Sequence, residues 1–407
     1  MRYIQPGTKE HKRSKVALFI AGLVPFAMIY TTQPTMPLFA EEFNVSAPVA
    51  SLTLSLTTGL LAITLIIAGS ISEHIGIKKM MVVSMFLTSI LGILSSLSPN
   101  FYTLLIFRTL LGVFVAGVPS IAMAYIGKTF HPLHTSMIMG FYISGSSIGG
   151  MSGRILTGML TDVFTWRIAF AITGLLTLIL GLIFWLTLPS PQNETKDRLE
   201  WSSIWKFYKA HLMNKRLNYL FVLGFLLMGS FVSMYNYISF LLVKPPYSLS
   251  QTVIGFIFIV YLCGTFSSIY MGKKASRYGN LLILKLSILI TISGAALTLV
   301  PTLIFEIIGI SVFTFGFFAS HSIVSALVTE NAKENKAQAS SLYLLFYYLG
   351  SSVVGSIGGF FWEHFQWVGV IAFNLCLLLL GFFLVLVRGN RTIVSKYRED
   401  DLVKSSK

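Results

Sequence analysis

The sequence predicts an all-α membrane protein, with twelve transmembrane helices in two pseudo-symmetric halves of six helices each. Of the 407 residues, 55% are hydrophobic and only 11% are charged, which is too little charge to cover a soluble protein of this length. The mean hydropathy is +0.77. Long apolar stretches run along the whole chain, the basic residues fall in alternate loops, and landmarks of the first half recur in the second. These three observations predict the fold class.

Each apolar stretch is close to the length of about 20 residues with which an α-helix spans the hydrocarbon core of a bilayer. The stretches are too long and too continuous for the strands of a membrane barrel, the other structure that satisfies its backbone polar groups in lipid. The predicted spans are 16–36, 48–72, 80–98, 101–126, 134–160, 167–189, 217–243, 251–272, 281–300, 303–328, 338–361 and 367–388.

An internal repeat divides the chain into two halves. The loop after span two reads GSISEHIGIKK from Gly69, and the loop after span eight reads GKKASRYGN from Gly272. The phrase FYISGSSIGG begins at residue 141, and FYYLGSSVVG begins at residue 346. The loop and the phrase occur in the same order in both halves, and each copy is separated from its counterpart by nearly the same number of residues. This indicates two six-helix units with the same arrangement of helices. The expected domains are an N-terminal half over 1–189, a linker over 190–216 and a C-terminal half over 217–407.

The linker is expected to carry a short helix of its own. From Trp201 it reads WSSIWKFYKAHL, in which apolar and aromatic residues recur on one helical face while the lysines fall elsewhere. This pattern favours an amphipathic helix that lies on the inner membrane surface. A flexible linker without helical structure is the alternative.

The basic residues indicate how the chain lies in the membrane. The formal net charge is +15, and all but four of the 30 lysines and arginines fall in the tails and loops on one side of the predicted spans. By the positive-inside rule, we expect both termini in the cytoplasm and the protein in the cell membrane. The expected partners of these charges are anionic lipid head groups, and a nucleic-acid partner is not expected.

Glycines in the repeated phrase mark close contacts between helices, because small residues let two helix backbones approach each other in lipid. We expect the glycines of spans five and eleven to form an interface that slides or rocks. Static packing is the alternative. The glycines concerned are Gly145, Gly149, Gly150, Gly153, Gly350 and Gly355.

Three motifs carry a resemblance to a known family. The loop after span two matches the pattern G-x-x-x-[D/E]-x-x-G-x-[K/R]-[K/R], and its second copy has Ser276 in place of the acid. Arg108 stands in span four within LLIFRTLLG, and span five resembles an antiporter motif in which Gly150 replaces the usual proline and Arg154 the final glycine. With these motifs the whole chain resembles the major facilitator superfamily, and QPTMP, SLTLSLTT and GFFASHS resemble its bacterial arabinose-efflux and drug-efflux branch. The loop residues are Gly69, Glu73, Gly76, Lys78 and Lys79 in the first copy and Gly272, Arg277 and Gly279 in the second.

The resemblance implies a secondary active transporter that moves a small organic solute by alternating access, as a monomer and without a cofactor. It also implies that the acid at Glu73 latches the halves together on the cytoplasmic side. We expect proton-coupled efflux, that is, antiport. A proton-independent or uptake-direction facilitator for a sugar-like or organic solute is left open, and a non-transporting membrane sensor is the remote alternative. The sequence shows no catalytic set, metal cluster or phosphate loop, so neither an enzyme nor a metal site is expected.

Embedded polar residues supply the candidate functional positions, because a charge in hydrocarbon usually faces the bundle interior or a water-filled cavity. Structural roles are the alternatives: buried pairing for Arg108, snorkelling for Arg154, and exposure to outer water for Glu306. No acid lies deep in a span, so a pump for cationic drugs is not expected. The candidates for proton coupling are Arg108, His321, Glu306 and Arg154. A histidine is suited to this role because its unperturbed side chain titrates near neutral pH. The alternative for His321 is a hydrogen-bonded histidine in the protein interior. The candidates for the substrate cavity are Gln33, Tyr235, Asn236, Tyr343 and Tyr347.

Overall fold

The computed structural model describes residues 3–191, 201–332 and 334–389, and the regular structure in these ranges is helical. A 3₁₀ turn, Phe258–Val260, joins α11 to α12, and a π-helical turn, Val385–Gly389, follows α15. The α-helices are α1 Lys9–Tyr30, α2 Thr32–Glu42, α3 Ala47–Ile75, α4 Ile77–Ser96, α5 Phe101–Val115, α6 Pro119–Thr129, α7 Pro132–Val163, α8 Trp166–Thr187, α9 Trp201–Met213, α10 Lys215–Val243, α11 Gln251–Ile257, α12 Tyr261–Tyr278, α13 Asn280–Leu297, α14 Leu303–Asn331 and α15 Lys336–Leu384.

These helices account for the twelve predicted spans. Within the described ranges, 10 segments are long and apolar enough to cross a membrane. One of them, Gln338–Val387, holds two spans, because the backbone at Gln366 leaves the helical region with φ 52° and ψ −144°. Helix α7, of 32 residues, supplies span five. The predicted twelve-helix membrane fold is therefore confirmed.

The two copies of the repeated loop have the same backbone conformation. Gly76 ends α3 with φ 95° and ψ 134°, and Gly279 ends α12 with φ 95° and ψ 137°. A side chain disfavours positive φ, so glycine lets one helix stop and the next begin at once. The repeat seen in the sequence is thus also a repeat of backbone geometry at these two loops.

Three spans contain a break. Span one is divided at Thr31 between α1 and α2, span four at 116–118 between α5 and α6, and span eight at the 3₁₀ turn. The predicted end of span one at residue 36 is wrong, because α2 continues to Glu42. Pro34 lies in the first turn of α2, where its missing N–H leaves no intrahelical hydrogen bond unmade.

The linker contains the expected helix, α9. Its Tyr208 is buried, and Nε2 of His211 lies 3.2 Å from the carbonyl oxygen of Asn335, in the turn before α15. Leu212, on the expected apolar face, is 40% exposed. Helix α9 thus contacts the C-terminal half, and its position on the membrane surface stays a prediction.

Each half is built from closely paired helices. Helix α1 packs on α7 and α4 on α8 in the N-terminal half, while α10 packs on α15 and α13 on α14 in the C-terminal half. The two halves meet where α3 packs along α15, α7 against α11, and α2 against α10. We call the membrane face with α9 and the α3–α4 turn the linker face, and the opposite face the distal face.

Glycines make the closest helix contacts of the N-terminal half. Gly145 and Gly149 of α7 lie directly against the backbone carbonyl groups of Phe19 and Leu23 in α1, and Gly153 continues the row one turn later. A Cβ atom at any of these positions would collide with that backbone. In this conformation the row therefore packs α7 on α1 within one half, and its predicted sliding role stays a prediction.

The glycines of span eleven are placed similarly. Gly350 of α15 lies against the backbone carbonyl of Phe225 in α10, which belongs to the same half. Gly355 lies beside the side chain of Asn236, and Gly150 of α7 lies beside that of Arg154. These two glycines therefore leave room for polar side chains as well as for a neighbouring helix.

Replacing Gly149 with leucine is expected to destabilise the protein by about 1–3 kcal/mol or more, because overpacking strains a close-packed contact and here the obstacle is backbone. The measurement is the melting temperature of the detergent-solubilised protein, with the yield of monodisperse material beside it. Gly140→Leu on the same helix is the control, because Gly140 is exposed and no atom lies within 4 Å of a Cβ built there. Equal melting temperatures for the two variants would show that the α1–α7 contact does not limit stability.

Candidate functional site

The two halves touch from the distal face to the middle of the membrane. At mid-depth, the Ser351 hydroxyl of α15 donates to Thr58 Oγ1 of α3 at 3.2 Å. Next to it, Ser352 Oγ donates to the carbonyl oxygen of Ser55 at 2.6 Å. Small residues on both helices let α3 and α15 approach closely enough for these hydrogen bonds.

A carboxylate closes the distal face. Asp162, near the end of α7, accepts hydrogen bonds from the backbone N–H groups of Gln251 at 2.9 Å and Thr252 at 2.7 Å, in the first turn of α11. The first N–H groups of a helix have no partner within the helix and favour an acidic group. One turn earlier, Gly158 faces Gly255 of α11 so closely that a Cβ at Gly158 would lie 3.1 Å from the Cα of Gly255. The N-terminal half thus caps a helix of the C-terminal half.

Arg154 lies where the halves meet, and its side chain is fully buried. Its Nε donates to Gln33 Oε1 at 2.7 Å, and its Nη1 donates to the carbonyl oxygen of Gly150 in the same helix. Since no part of the side chain reaches the surface, the alternative that Arg154 snorkels is wrong. Three rings surround the guanidinium, with centroids 4.0, 4.7 and 4.7 Å from Cζ, and they belong to Tyr30, Phe258 and Tyr261.

Two amides extend this contact into the C-terminal half. Nε2 of Gln33, on α2, donates to Oδ1 of Asn236, on α10, at 2.8 Å. Both amide side chains are fully buried. Two neighbouring polar groups, Asn236 Nδ2 and the hydroxyl of Tyr261, have no hydrogen-bond partner among the described residues. We call Arg154, Gln33, Asn236 and Tyr261 the interface cluster.

The other predicted cavity residues lie in the C-terminal half. Tyr235 borders the interface cluster: its ring stacks on Phe258 with centroids 5.2 Å apart, and its hydroxyl is 2.6 Å from Thr314 Oγ1. Tyr343 and Tyr347 lie next to His321, and Tyr347 is also within electrostatic range of Tyr30 and Tyr261. The structure therefore places the five predicted residues at two neighbouring polar clusters.

His321 is the centre of the second cluster, on the linker side of the bundle. Its Nδ1 lies 2.7 Å from the Tyr343 hydroxyl, and its ring centroid lies 4.6 Å from that of Tyr347. The imidazole also stacks on Phe317 with centroids 6.1 Å apart. The interior hydrogen bond considered as the alternative is present, and a role in proton coupling stays a prediction.

Arg108 is held within the N-terminal half, and its side chain is fully buried. Its hydrogen bonds run to the carbonyl oxygens of Thr53 at 3.1 Å, Met28 at 2.9 Å and Ile29 at 2.6 Å, and to Thr31 Oγ1 at 3.4 Å. The acceptors in α1 lie in its last turn, where carbonyl groups have no partner within the helix. This geometry favours a structural pairing at the break in span one, and the coupling role stays a prediction.

Glu306 lies in the first turn of α14, at the distal end, but it does not face outer water. Its side chain is 1% exposed, because the loop before α11 places Tyr247 beside it, 3.5 Å from Oε1. The alternative of exposure to outer water is therefore wrong, and the coupling role of Glu306 stays a prediction. Glu306 precedes His321 by 15 residues on the same helix, which at 1.5 Å per residue separates them by about 22 Å.

The loop after span two lies on the linker face. Gly76, Lys78 and Lys79 line a cleft of about 370 Å³ together with Trp185 of α8. The side chain of Glu73 lies outside what the structure describes, so the predicted latch stays a prediction.

The glycines at the remaining loop positions are not tightly packed. An added Cβ at Gly69 or at Gly272 would meet no atom within 4 Å, so packing does not require glycine at either place. In the second copy of the loop, the guanidinium of Arg277 lies 5.2 Å from the ring of Tyr278. The conformational role expected for these residues stays a prediction.

Sequence patterns do not single out Asp162 or the three rings around Arg154. Asp162 lies just beyond the predicted end of span five at 160, so it does not count as an embedded charge. Tyr30 precedes Gln33 by three residues, and this spacing places two side chains on one helical face. The sequence therefore offers a way to predict that Tyr30 lies near Gln33. The rings of Phe258 and Tyr261 carry no such signal, because their neighbour Arg154 belongs to the other half.

Arg108→Ala is expected to destabilise the protein by about 3 kcal/mol, because it leaves several buried oxygens that accepted charge-assisted hydrogen bonds without a donor. Arg154→Gln is the comparison, since glutamine can still bond Gln33, and its effect on the melting temperature is expected to be smaller. Thermal unfolding of both variants in detergent measures the difference. A larger loss of stability for Arg154→Gln would contradict the structural role of Arg108.

Asp162→Asn is expected to loosen the distal face, because the two backbone N–H groups of α11 bond to separate carboxylate oxygens, whereas an amide keeps one acceptor oxygen and no charge. The assay is labelling of Thr157→Cys, a buried position on α7, by a membrane-impermeant maleimide. The exposed native Cys263 and Cys376 are replaced by serine beforehand. A loss of about 1.4 kcal/mol would raise the labelling rate about tenfold if opening is in rapid equilibrium.

Glu42→Gln is the matched control for that experiment. Glu42 is also a distal carboxylate, but it pairs with Arg167 inside the N-terminal half. Its loss should leave the labelling rate unchanged. An equal rate increase in both variants would mean that any distal carboxylate, rather than the contact between halves, sets the exposure of α7.

Comparisons with known proteins agree with this fold. The model of the Major Facilitator Superfamily matches residues 18–355. The chain is 45% identical over 384 residues to the uncharacterized MFS-type transporter YybF of Bacillus subtilis, covering 94% of this chain and 95% of that protein. It is 40% identical over 380 residues to the inner membrane transport protein YnfM of Escherichia coli, covering 93% and 91%.

A solved structure gives the same result for the fold. A bacterial homologue of the human lysosomal transporter Spinster, in an inward-facing and occupied conformation, aligns with a TM-score of 0.76 and 14% identity. The alignment covers 94% of this chain and 98% of that one. The family model and the two relatives together establish that this chain belongs to the Major Facilitator Superfamily, a family of multi-pass membrane transporters and not of enzymes.

Proposed function

We propose that the protein exports a small organic solute in exchange for protons, by alternating access through a site between its two halves. The observation that supports this proposal is the interface cluster, in which Arg154 and Gln33 belong to one half while Asn236 and Tyr261 belong to the other. Separation of the halves on the distal side would break the hydrogen bond between the two amides. A solute that binds such a site favours one arrangement of the halves over the other, as a ligand must to shift a two-state equilibrium.

The proposed orientation places the linker face and both termini in the cytoplasm, because the basic tails and loops are expected there. In this orientation the contacts of Asp162 with α11 close the site toward the outside. This is the arrangement in which an exporter takes up its solute from the cytoplasm. The resemblance of span five to an antiporter motif, and of the chain to the arabinose-efflux and drug-efflux branch, supports the same direction.

His321 is the proposed proton carrier. An imidazole changes its charge near neutral pH, and the adjacent Tyr343 hydroxyl, at 2.7 Å, can donate to or accept from the ring as its protonation changes. The histidine is half-buried and lies on the linker side, which faces the cytoplasm in the proposed orientation. Arg108 is a weaker candidate, because a guanidinium keeps its proton in proteins.

A facilitator without proton coupling, or one that works in the uptake direction, is the second candidate. It is favoured by one observation: among the described residues, no carboxylate bonds to His321 or to Arg154. A sensor that transports nothing shares the fold, but it gives no reason for polar side chains from both halves to meet.

The proposal is tested in proteoliposomes that contain a pH-sensitive dye and carry an imposed pH gradient. Sugars, organic acids and amphipathic drugs are added in turn, and a transported solute should collapse the gradient only when the protein is present. His321→Gln should lower this solute-driven proton flux at least tenfold, because glutamine does not titrate. Solute counterflow, which needs no net proton movement, should continue in the same variant.

His364→Gln is the matched control, since His364 is exposed at the distal end of span eleven and bonds the carbonyl oxygen of Phe360 in its own helix. It should behave as the wild type. Unchanged proton flux in His321→Gln would remove His321 from the coupling step. Counterflow by the wild type without any proton movement would establish the facilitator instead.

A further inference from the structure

We infer that the transported solute is an organic anion, and that its carboxylate binds Arg154 in the interface cluster. This inference rests on the proposed function and specifies the substrate class of the same site. It starts from a charge that the described residues leave without an ionic partner. The ion pair that the structure describes joins Arg167 to Glu42 on the distal face, whereas the acceptors of Arg154 are an amide and a backbone carbonyl.

The contrast with Arg108 shows that burial alone does not explain Arg154. A guanidinium carries five N–H donors. Arg108 directs its donors to four oxygen acceptors within one half. Arg154 has two oxygen acceptors among the described residues, and the rest of its surface faces aromatic rings. Arg154 therefore keeps hydrogen-bonding capacity that the protein does not use.

The interface cluster also contains unpaired polar groups that match an acceptor. Asn236 Nδ2 is a donor, and the Tyr261 hydroxyl can donate its proton; both lack a partner among the described residues. A carboxylate has two oxygens that accept only, with about four lone-pair positions, and it binds a guanidinium through two parallel hydrogen bonds. An alcohol or an amide would bring donors as well as acceptors into a cluster whose unmet need is for acceptors.

Movement of the halves would give the anion access. The oxygen acceptors of Arg154, on Gln33 and Gly150, belong to its own half. The rings of Phe258 and Tyr261 belong to the other half. When the halves move apart on the cytoplasmic side, Arg154 keeps its bonds to its own half while one side of the ring enclosure opens, and a carboxylate can reach the guanidinium. The same rings provide an apolar surface for the remainder of the solute, which favours an organic anion over an inorganic one.

The test uses matched pairs of solutes that differ in the carboxylate: glucuronate with glucose, and benzoate with benzyl alcohol. Binding to the full-length protein in detergent is measured as the shift in melting temperature, and exchange is measured as counterflow in proteoliposomes. The acid of at least one pair should bind and exchange, and its neutral partner should do so at least tenfold more weakly. Arg154→Gln should abolish this preference without lowering the melting temperature of the unliganded protein as much as Arg108→Ala does.

Two further variants separate charge from packing. Arg154→Lys keeps the positive charge and should retain the preference for the acid with weaker binding. Arg167→Gln removes an arginine of the distal face and should leave binding unchanged. Equal binding of the acid and its neutral partner, a preference that survives Arg154→Gln, or binding of neither acid by the wild type would each overturn the inference. Exchange of the acid without proton movement would support the inference and refute the proton coupling proposed above.

Discussion

A guanidinium group buried at membrane depth must find its partners inside the protein, because hydrocarbon offers none. Among the residues that the structure describes, Arg108 and Arg154 are such groups, and they are satisfied in different ways. Arg108 bonds oxygens of α1 and α3, and so fastens the break in span one. Arg154 bonds one amide and one carbonyl and is enclosed by rings from both halves. These two arrangements connect α5 to α1 and α3, and α7 to α1, α2 and the start of α12.

The contacts inside a half differ in kind from those between halves. Within a half, glycines such as Gly149 and Gly350 bring helix backbones together, so a displacement would disturb many close-packed atoms. Between the halves, the described hydrogen bonds come from serine, threonine and amide side chains and from Asp162. Such groups can exchange their partners for water. The difference suits two rigid bodies that rock against each other, which is the motion required for alternating access.

Part of the site follows from sequence patterns. Gln33, Asn236 and Arg154 stand out because burying a polar side chain inside an apolar span costs free energy, so such residues usually serve a function. Their mutual contact is not foreseeable in the same way, since Gln33 and Asn236 are 203 residues apart and their contact depends on how α2 meets α10. The alternatives of a snorkelling Arg154 and a water-exposed Glu306 are wrong for one shared reason. Distance from a helix end suggests exposure, but neighbouring elements, namely the rings of α1 and α12 and the loop with Tyr247, cover both residues.

The sequence by itself determined the membrane fold, the twelve helices, the repeat and the positions of the turns, because span length, hydropathy and glycine conformation act over short stretches of chain. Gly76 and Gly279 illustrate this, since each fixes a turn through its own backbone. Only the tertiary structure decided which buried charge is structurally satisfied and which keeps free donors. That outcome depends on partners contributed by distant helices, and helix periodicity and composition do not specify which helices those are.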